Sequence, residues 1–568
     1  MSGASAKVRS IYDALDARNP KQAVKLCDAT LKRSSIPLVR ALKAVALERL
    51  GRADEATALA RETSTAALKA PIDEHVLSTL MLVFKALGLA DEGSAVYEAA
   101  WQVEPDNEEL SSALFLAHLR TASFAKAQQL AMKMFKRPGG EEYVFWAVAC
   151  IVLQVDEMGP PLQPTPQHYA AAQATSAGAK LLQIAAAMLA RAASQGKLTT
   201  ESHLRLYLEV LRRQDGAQKA ERLALLSEHG LLLSSPIERL RLEAELLEGL
   251  GRMSEAEARH AEITREHAPD DWSSHSAQLR FALAESTDAA VQRVKTTLTH
   301  LQASDPKLRG PWLADLILQL TKYDRAAAEA AVAPGPRPLP CAPASAAPST
   351  PPEDTPADAV DAADAKTLAL DGLLDKLLAY FARYGERTAC ALDVLACLRA
   401  LGSSMNAQDA LISKLEALCV PSTEEAELSL RWLQRYTTMC QWRLSCGATL
   451  RMQLDERLAF AGECLKQYIR HKPLSADLDS RERGHADLLP LVSAQALLPR
   501  PTADWLSTRG DSVTLWHTDA LVAAAIGLRM GLDASPHNFQ LKLALISVLQ
   551  CMGAPLLWVV HMRDGKNW

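Results

Sequence analysis

Apolar positions recur at helical spacing through most of the chain, and polar or proline-rich stretches interrupt them at intervals. Residues 7–153 fit about four helix pairs, 176–330 continue the pattern, and "LLDKLLAYFARYG" and "TEEAELSLRWLQRYTTMCQWRL" carry it on from 366 to 553. Two stretches break it. "DEMGPPLQPTPQH" at 156–168 predicts a loop, and 332–365, with nine of the 29 prolines in an Ala/Pro/Ser/Asp mixture, predicts a disordered insertion. The longest apolar run, "VFWAVACIVL" at 144–153, is about half a bilayer span and predicts a buried helix. The expected organisation is N-terminal repeats at 1–153, further helical repeats at 154–331, the insertion at 332–365, C-terminal helical repeats at 366–553 and an atypical tail at 554–568.

The polar interruptions repeat. "RLGRADEATALA" at 49–60 and "ALGLADEGSAVYEAA" at 86–100 each place a small residue, Ala56 or Gly93, five positions after a glycine, Gly51 or Gly88. "RTASFAKA" puts Ala122 and Ala127 at the same two positions, 34 residues after Gly88 and Gly93. Gly251 and Ala256 repeat the device, and Ala23 occupies the place of Ala56. The period is that of the tetratricopeptide repeat. Glycine at the end of a first helix accepts the left-handed conformation that stops it. Asp54, Asp91 and Ser254 are expected to cap the second helix, and the small residues allow the two helices to approach closely. Pro105 and Pro269 end the second helices. Near the far end, Pro536 and Gly553 restore the register. The predicted fold is all-α, a tetratricopeptide-type α-solenoid of stacked antiparallel helix hairpins, forming a curved right-handed stack with almost no strand.

Composition agrees and narrows the function. Leu and Ala dominate and aromatics are 5% of the chain, which favours helix over sheet. A net charge of −5 and a pI near 6.3 give no general attraction to phosphate backbones or anionic membranes. The first residues, "MSGASAKVRSIYDALD", have no apolar signal core, and Asp13 and Asp16 argue against organelle targeting, so the expected compartment is the cytoplasm. Ten cysteines without a CxxC pair read as reduced, buried thiols. Cys390 with Cys397 and Cys440 with Cys446 are the nearest pairs.

Candidate chemistry is thin. "RERGHA" at 481–486 fits the short phosphate-binding pattern of acetyltransferases, but "LSADLDS" before it is too polar for the strand that such a loop requires, so a solvated connection is expected. His260 and His267, seven apart without a carboxylate set, read as surface residues. No nucleophilic triad, P-loop or dinucleotide-binding glycine pattern is present. No catalytic, cofactor-binding or metal-ligating residue is assigned, and the chain reads as a non-enzyme.

"IYDALDARNPKQAVKLC", "ALKAVALERLGRADEA", "DEHVLSTLMLVFKALG", "VYEAAWQVEPDNEEL", "YVFWAVACIVLQ", "DDWSSH" and "RGPWLADL", in this order, resemble the auxiliary subunit of the NatB N-terminal acetyltransferase. The likeness spans about 1–320, is patchier at 373–400 and returns at 485–553. The resemblance implies a scaffold that wraps a GNAT-type catalytic subunit near the ribosome, with acetyl-CoA held by that partner only. The implied substrates are nascent chains beginning Met-Asp, Met-Glu, Met-Asn or Met-Gln. No membrane attachment and no sequence-specific nucleic-acid binding are expected.

The alternative is a generic tetratricopeptide adaptor, like a co-chaperone, gripping an acidic peptide. That function needs Lys, Arg or Asn at inner positions of the first helices. Here these positions hold Ala41 and Val45, Ser78 and Leu82, Ser112 and Leu116, which suit an apolar partner helix better. Lys133, Lys136 and Arg137, or Arg212 and Arg213, are basic clusters that read as solvated faces or as contacts to ribosomal RNA. After Gly553 the chain reads "APLLWVVHMRDGKNW", with Trp558 where a small residue is expected. With "FQLKLALISVLQ" too apolar to face water, the sequence suggests an incomplete or alternatively spliced reading frame.

Overall fold

The computed structural model describes residues 3–68, 72–158, 176–214, 218–333, 358–419, 428–479, 481–498 and 517–553. Among them every regular element is a helix, and no strand occurs. They form two compact units, residues 1–252 and 253–568, so the division falls within the segment 154–331 of the sequence reading.

The first unit pairs α1 (Gly3–Asp16) with α2 (Pro20–Leu31), α3 (Pro37–Arg49) with α4 (Ala53–Ala67), α5 (Glu74–Ala86) with α6 (Ala90–Val103), and α7 (Glu108–Arg120) with α8 (Phe124–Phe135). Each pair is joined by three residues, and the middle one is left-handed: Arg18 and Ala122 at φ +52°, Gly51 and Gly88 at +76°. The hydrogen bonding is the same in all four. The Gly51 N–H donates to the Glu48 carbonyl at 2.8 Å and the Arg52 N–H reaches back to Leu47 at 3.0 Å. Gly88 and Leu89 repeat this on Lys85 and Phe84, Ala122 and Ser123 on Leu119 and His118, and Arg18 and Asn19 on Leu15 and Ala14. These bonds occupy the last carbonyls of the first helix and reverse the chain.

This geometry corrects one expectation. The third hinge residue is already the N-cap, so Asp54 and Asp91 lie inside the first turn of α4 and α6, and the side chains of Arg52 and Leu89 make no capping bond to the helix backbone. Ser254 likewise lies within the helix Met253–Glu262. Asp54 and Asp91 act on the positive end of the helix dipole instead.

Close packing follows from the small residues. Ala23, Ala56, Ala127 and Ala256 are fully buried, and Gly93 is buried with them. A Cβ on Gly93 would stand 2.8 Å from the Met81 sulfur, which shows how tightly α6 lies on α5. Around these contacts α5 buries Leu77 and Leu80, and α7 buries Leu110 and Leu114. Each such side chain contributes roughly 1.5–3 kcal/mol. α9 (Tyr143–Glu157) packs between α8 and the helix Ser176–Ser194, and the helices Glu201–Arg212, Lys219–His229 and Pro236–Gly249 complete the unit. Gly251 is left-handed at φ +78°.

The second unit opens with Met253–Glu262 and a π turn at Ile263–His267. Its largest core runs from Leu279 to Val492 and centres on Trp442, whose ring stands 5.3 Å from that of Phe381. The edges of the proline-rich segment are helical: Arg325–Val332 ends on a buried Val332, and the next helix begins at Asp358, ahead of the expected 366. Residues 334–357, most of the expected insertion, lie outside the described residues, as do 159–168 of the first Pro-rich loop. At the far end Asn538 caps the helix Phe539–Cys551 by accepting from Gln540 N–H at 3.1 Å, and Gly553 is left-handed at φ +68°. The expectation about 554–568 falls outside the described residues.

Candidate functional site

The first helices of successive pairs carry the candidate site. Leu82 on α5 and Leu116 on α7 each stand six residues before their hinge residue, and they are 53% and 44% exposed. Leu153 on α9 is 37% exposed. On α9, Trp146 lies one face-repeat before Leu153. It is half-buried between Phe115 of α7, with ring centroids 4.7 Å apart, and Tyr143 at 5.1 Å. The Tyr143 hydroxyl donates to Glu108 at 2.7 Å, which ties α9 to α7 beside these rings.

Sequence reasoning placed Leu82, Leu116, exposed Ser78 and half-buried Ser112 on this face, and missed Trp146 and Leu153. It also placed Ala41 and Val45 there, and the structure corrects that: both are buried. The reason is packing, since α3 packs against α1, α2, α4 and α5, whereas α5 packs mainly against α3, α4 and α6. The run Val144–Leu153 could have signalled Leu153, because one leucine at helical spacing from Trp146 falls off the buried stripe.

Of the basic clusters, Lys133, Lys136 and Arg212 are exposed, whereas Arg213 and Arg137 are tied into the fold. Arg213 is buried and paired with Asp156 and, at 2.7 Å, with Glu209, which also holds Arg212. Burial works against the Arg213 charge, but the two carboxylates outweigh it and raise its pKa. Lys133 lies 4.8 Å over the Trp101 ring, and Arg137 donates to the Pro105 carbonyl and to Ser111 at 3.2 Å.

The other candidates have structural roles. His260, expected at the surface, is buried on the helix Met253–Glu262, with Nδ1 3.2 Å from the Ser274 hydroxyl. His267 is exposed and stands with Glu262 and Glu266, their ligand atoms within 4.8 Å of one another, a grouping common on surfaces without any ion. In "RERGHA" the Gly484 N–H donates to Asp487 at 3.0 Å, His485 N–H to Ser475 at 2.9 Å, and Arg481 N–H to Asp479 at 2.8 Å. Those amides face carboxylates and a hydroxyl, so the segment cannot cradle a pyrophosphate. The described cysteines are buried except Cys551, and burial pushes the thiols of Cys27, Cys150, Cys390 and Cys397 up to about 12. Among the described residues no helix is long and apolar enough to cross a membrane.

Comparison with known proteins gives two family matches. Residues 5–264 match the family described as "Psidin, N-terminal TPR repeats region", and residues 272–564, just over half of the chain, match "N-acetyltransferase B complex (NatB) non catalytic subunit". Among curated relatives, the chain is 26% identical to the N-terminal acetyltransferase B complex auxiliary subunit NAA25 of Arabidopsis thaliana, over 99% of this chain and 49% of that protein. It is 24% identical to the human N-alpha-acetyltransferase 25, NatB auxiliary subunit, over 99% of this chain and 54% of that one. The Phagocyte signaling-impaired protein of Drosophila pseudoobscura pseudoobscura is 25% identical over 97% and 52%. The chain thus spans about half the length of the curated relatives it matches. A solved chain in the structure of Naa15/Naa10 bound to HypK-THB shares the fold, with a TM-score of 0.53 and 12% identity over 98% of this chain and 67% of that one.

Proposed function

The chain belongs to the family of non-catalytic NatB subunits, and from that premise we propose that it is a scaffold whose first-helix face receives a GNAT-type catalytic subunit. The observation that carries this reading is the exposure of Leu82, Leu116 and Leu153 on successive first helices, where side chains of this size are ordinarily covered. An apolar strip of this kind suits the apolar side of a partner's helix. In this reading acetyl-CoA is bound by the partner, the substrates are nascent chains beginning Met-Asp, Met-Glu, Met-Asn or Met-Gln, and the complex works in the cytoplasm at the ribosome. The family's non-catalytic description and the relatives' names support it.

The test is reconstitution. Mixed with a NatB-type catalytic subunit, the chain is expected to form a one-to-one complex and to raise acetylation of Met-Asp peptides over Ser-initiated ones, while transferring no acetyl group alone. Leu82→Glu with Leu116→Glu should weaken that complex at least tenfold with little loss of thermal stability, because both side chains are already exposed. Acetyl transfer by the isolated chain would overturn the scaffold reading. Binding of an acidic C-terminal peptide instead of the subunit would favour the generic adaptor, although the inner positions Ser78, Leu82, Ser112 and Leu116 offer no cation to such a peptide.

A further inference from the structure

The exposed leucines of the first-helix face have a row of carboxylates beside them. Along α7, Glu109, Ser112, Leu116 and Arg120 follow one another at three- and four-residue steps and so share one face, with Glu109 about 10 Å from Leu116 along the axis. On α9, Trp146 and Leu153 follow Glu142, its N-cap, at the same kind of spacing. On α5, Asp73 and Glu74 open the helix that carries Leu82. The starts of these three helices thus form an acidic edge. Its bases among the described residues are Lys136 and Arg137, in the turn from α8 to α9, and Arg137 is held by the Pro105 carbonyl and Ser111.

The charges on this edge differ from those elsewhere in the unit. Glu109, Glu141 and Glu142 are exposed, and none of them makes a side-chain hydrogen bond or ion pair among the described residues. On the second helices, charges pair between neighbours: Arg61 with Glu92 at 2.7 Å and Lys126 with Glu98 at 3.3 Å. The helix dipole favours an acid at each helix start, but it does not account for a row of them left unpaired beside exposed leucines.

We propose that the element received on this face is an amphipathic helix that crosses α5, α7 and α9, with its apolar stripe on Leu82, Leu116, Trp146 and Leu153 and a row of Lys or Arg along the flank that meets the acidic edge. The inference rests on the scaffold reading above and specifies the chemistry of the partner it receives. An apolar strip alone sets neither which flank of a partner helix lies on which side nor its register, and charge beside the strip sets both. Charges at such a rim act chiefly on the rate of encounter, which opposite charges raise and like charges suppress.

Stopped-flow association of the full chain with a NatB-type catalytic subunit tests this. Glu109→Lys with Glu142→Lys is expected to lower the association rate constant about tenfold at low salt and less than about threefold at about 0.5 M salt, where screening is short-ranged. The dissociation rate should change far less. Glu109→Gln with Glu142→Gln, which removes the charge without reversing it, should fall between. Lys85→Glu alters an exposed charge at the other end of α5 and should hold or raise the rate. Zero-length carbodiimide coupling of the complex should join Glu109 or Glu142 to lysines of the partner. A rate unchanged by the double reversal, an equal loss in Lys85→Glu, or no coupling of either glutamate to a partner lysine would refute this inference while leaving the complex intact. Failure of the unaltered chain to bind the subunit would refute the scaffold reading and this inference together.

Discussion

Ala122 stands where Gly51 and Gly88 stand in the two preceding hairpins, with φ at +52°. A Cβ in the left-handed region costs roughly 1 kcal/mol, and glycine avoids it. Ala122→Gly is therefore expected to stabilise the protein by about 0.5–1 kcal/mol despite the added unfolded-state entropy, seen as a higher denaturation midpoint at an unchanged m-value. A lower midpoint would mean that the hinge is not held in that conformation. Arg18, left-handed by the same amount, shows what was illegible at this scale. Gly51 and Gly88 announce a hinge by their identity, whereas at Arg18 and Ala122 the surrounding helices impose it on a residue that resists. The N-caps were misplaced for a related reason. Acidic residues after a hinge look like caps, but the hinge bonds already use the position before them, and this depends on backbone geometry that no single residue reveals.

Within a helix, what faces inward decides how the element responds to its surroundings. His118 on α7 is buried beside the Ala122 hinge, its Nδ1 has no partner among the described residues, and burial lowers its pKa from the ordinary value. His275 on the helix Trp272–Glu285 is also buried, and its pKa is lowered by burial despite the contact to the Pro269 carbonyl at 2.8 Å. With the folded-state pKa depressed, the unfolded chain takes up the proton first. The stability contributed by keeping these rings neutral is then full above about pH 6.5 and is lost as the pH falls below it. Melting curves between about pH 8 and pH 5 should show this loss. His118→Leu, which cannot be protonated, should lose less stability across the same window, and parallel slopes for the two proteins would refute the assignment. The first helices were legible as elements but their exposed faces only in part. Leu82 and Leu116 could be placed by counting back from the hinge, while Ala41 and Val45, at equivalent counts, are covered because α3 has helices on more sides than α5. Burial at one position is set by neighbours that a repeat register cannot count.

At the scale of the whole molecule, the first unit is a succession of helix pairs that touch mainly the next in line. Stacks of this kind have stability close to a sum of local terms and neighbour interfaces. Calorimetry should accordingly give a broad transition whose van't Hoff enthalpy is smaller than the calorimetric one, and a single sharp two-state transition would contradict the nearest-neighbour picture. The helical-repeat class was readable from phrases that recur along the chain, because a repeated hinge is a repeated cause. The hinges also have a consequence in time. Every bond that closes a hairpin spans five residues or fewer, and the hinge residues Gly88 and Ala122 are 34 positions apart. A ribosome adding about 5–20 residues per second releases one such interval every ~2–7 s, while helices and short loops form in about a microsecond or less. Each pair thus has time to close and dock on its predecessor before the next emerges, so the first unit can be assembled in the order in which it is translated, with little apolar surface waiting for a distant partner.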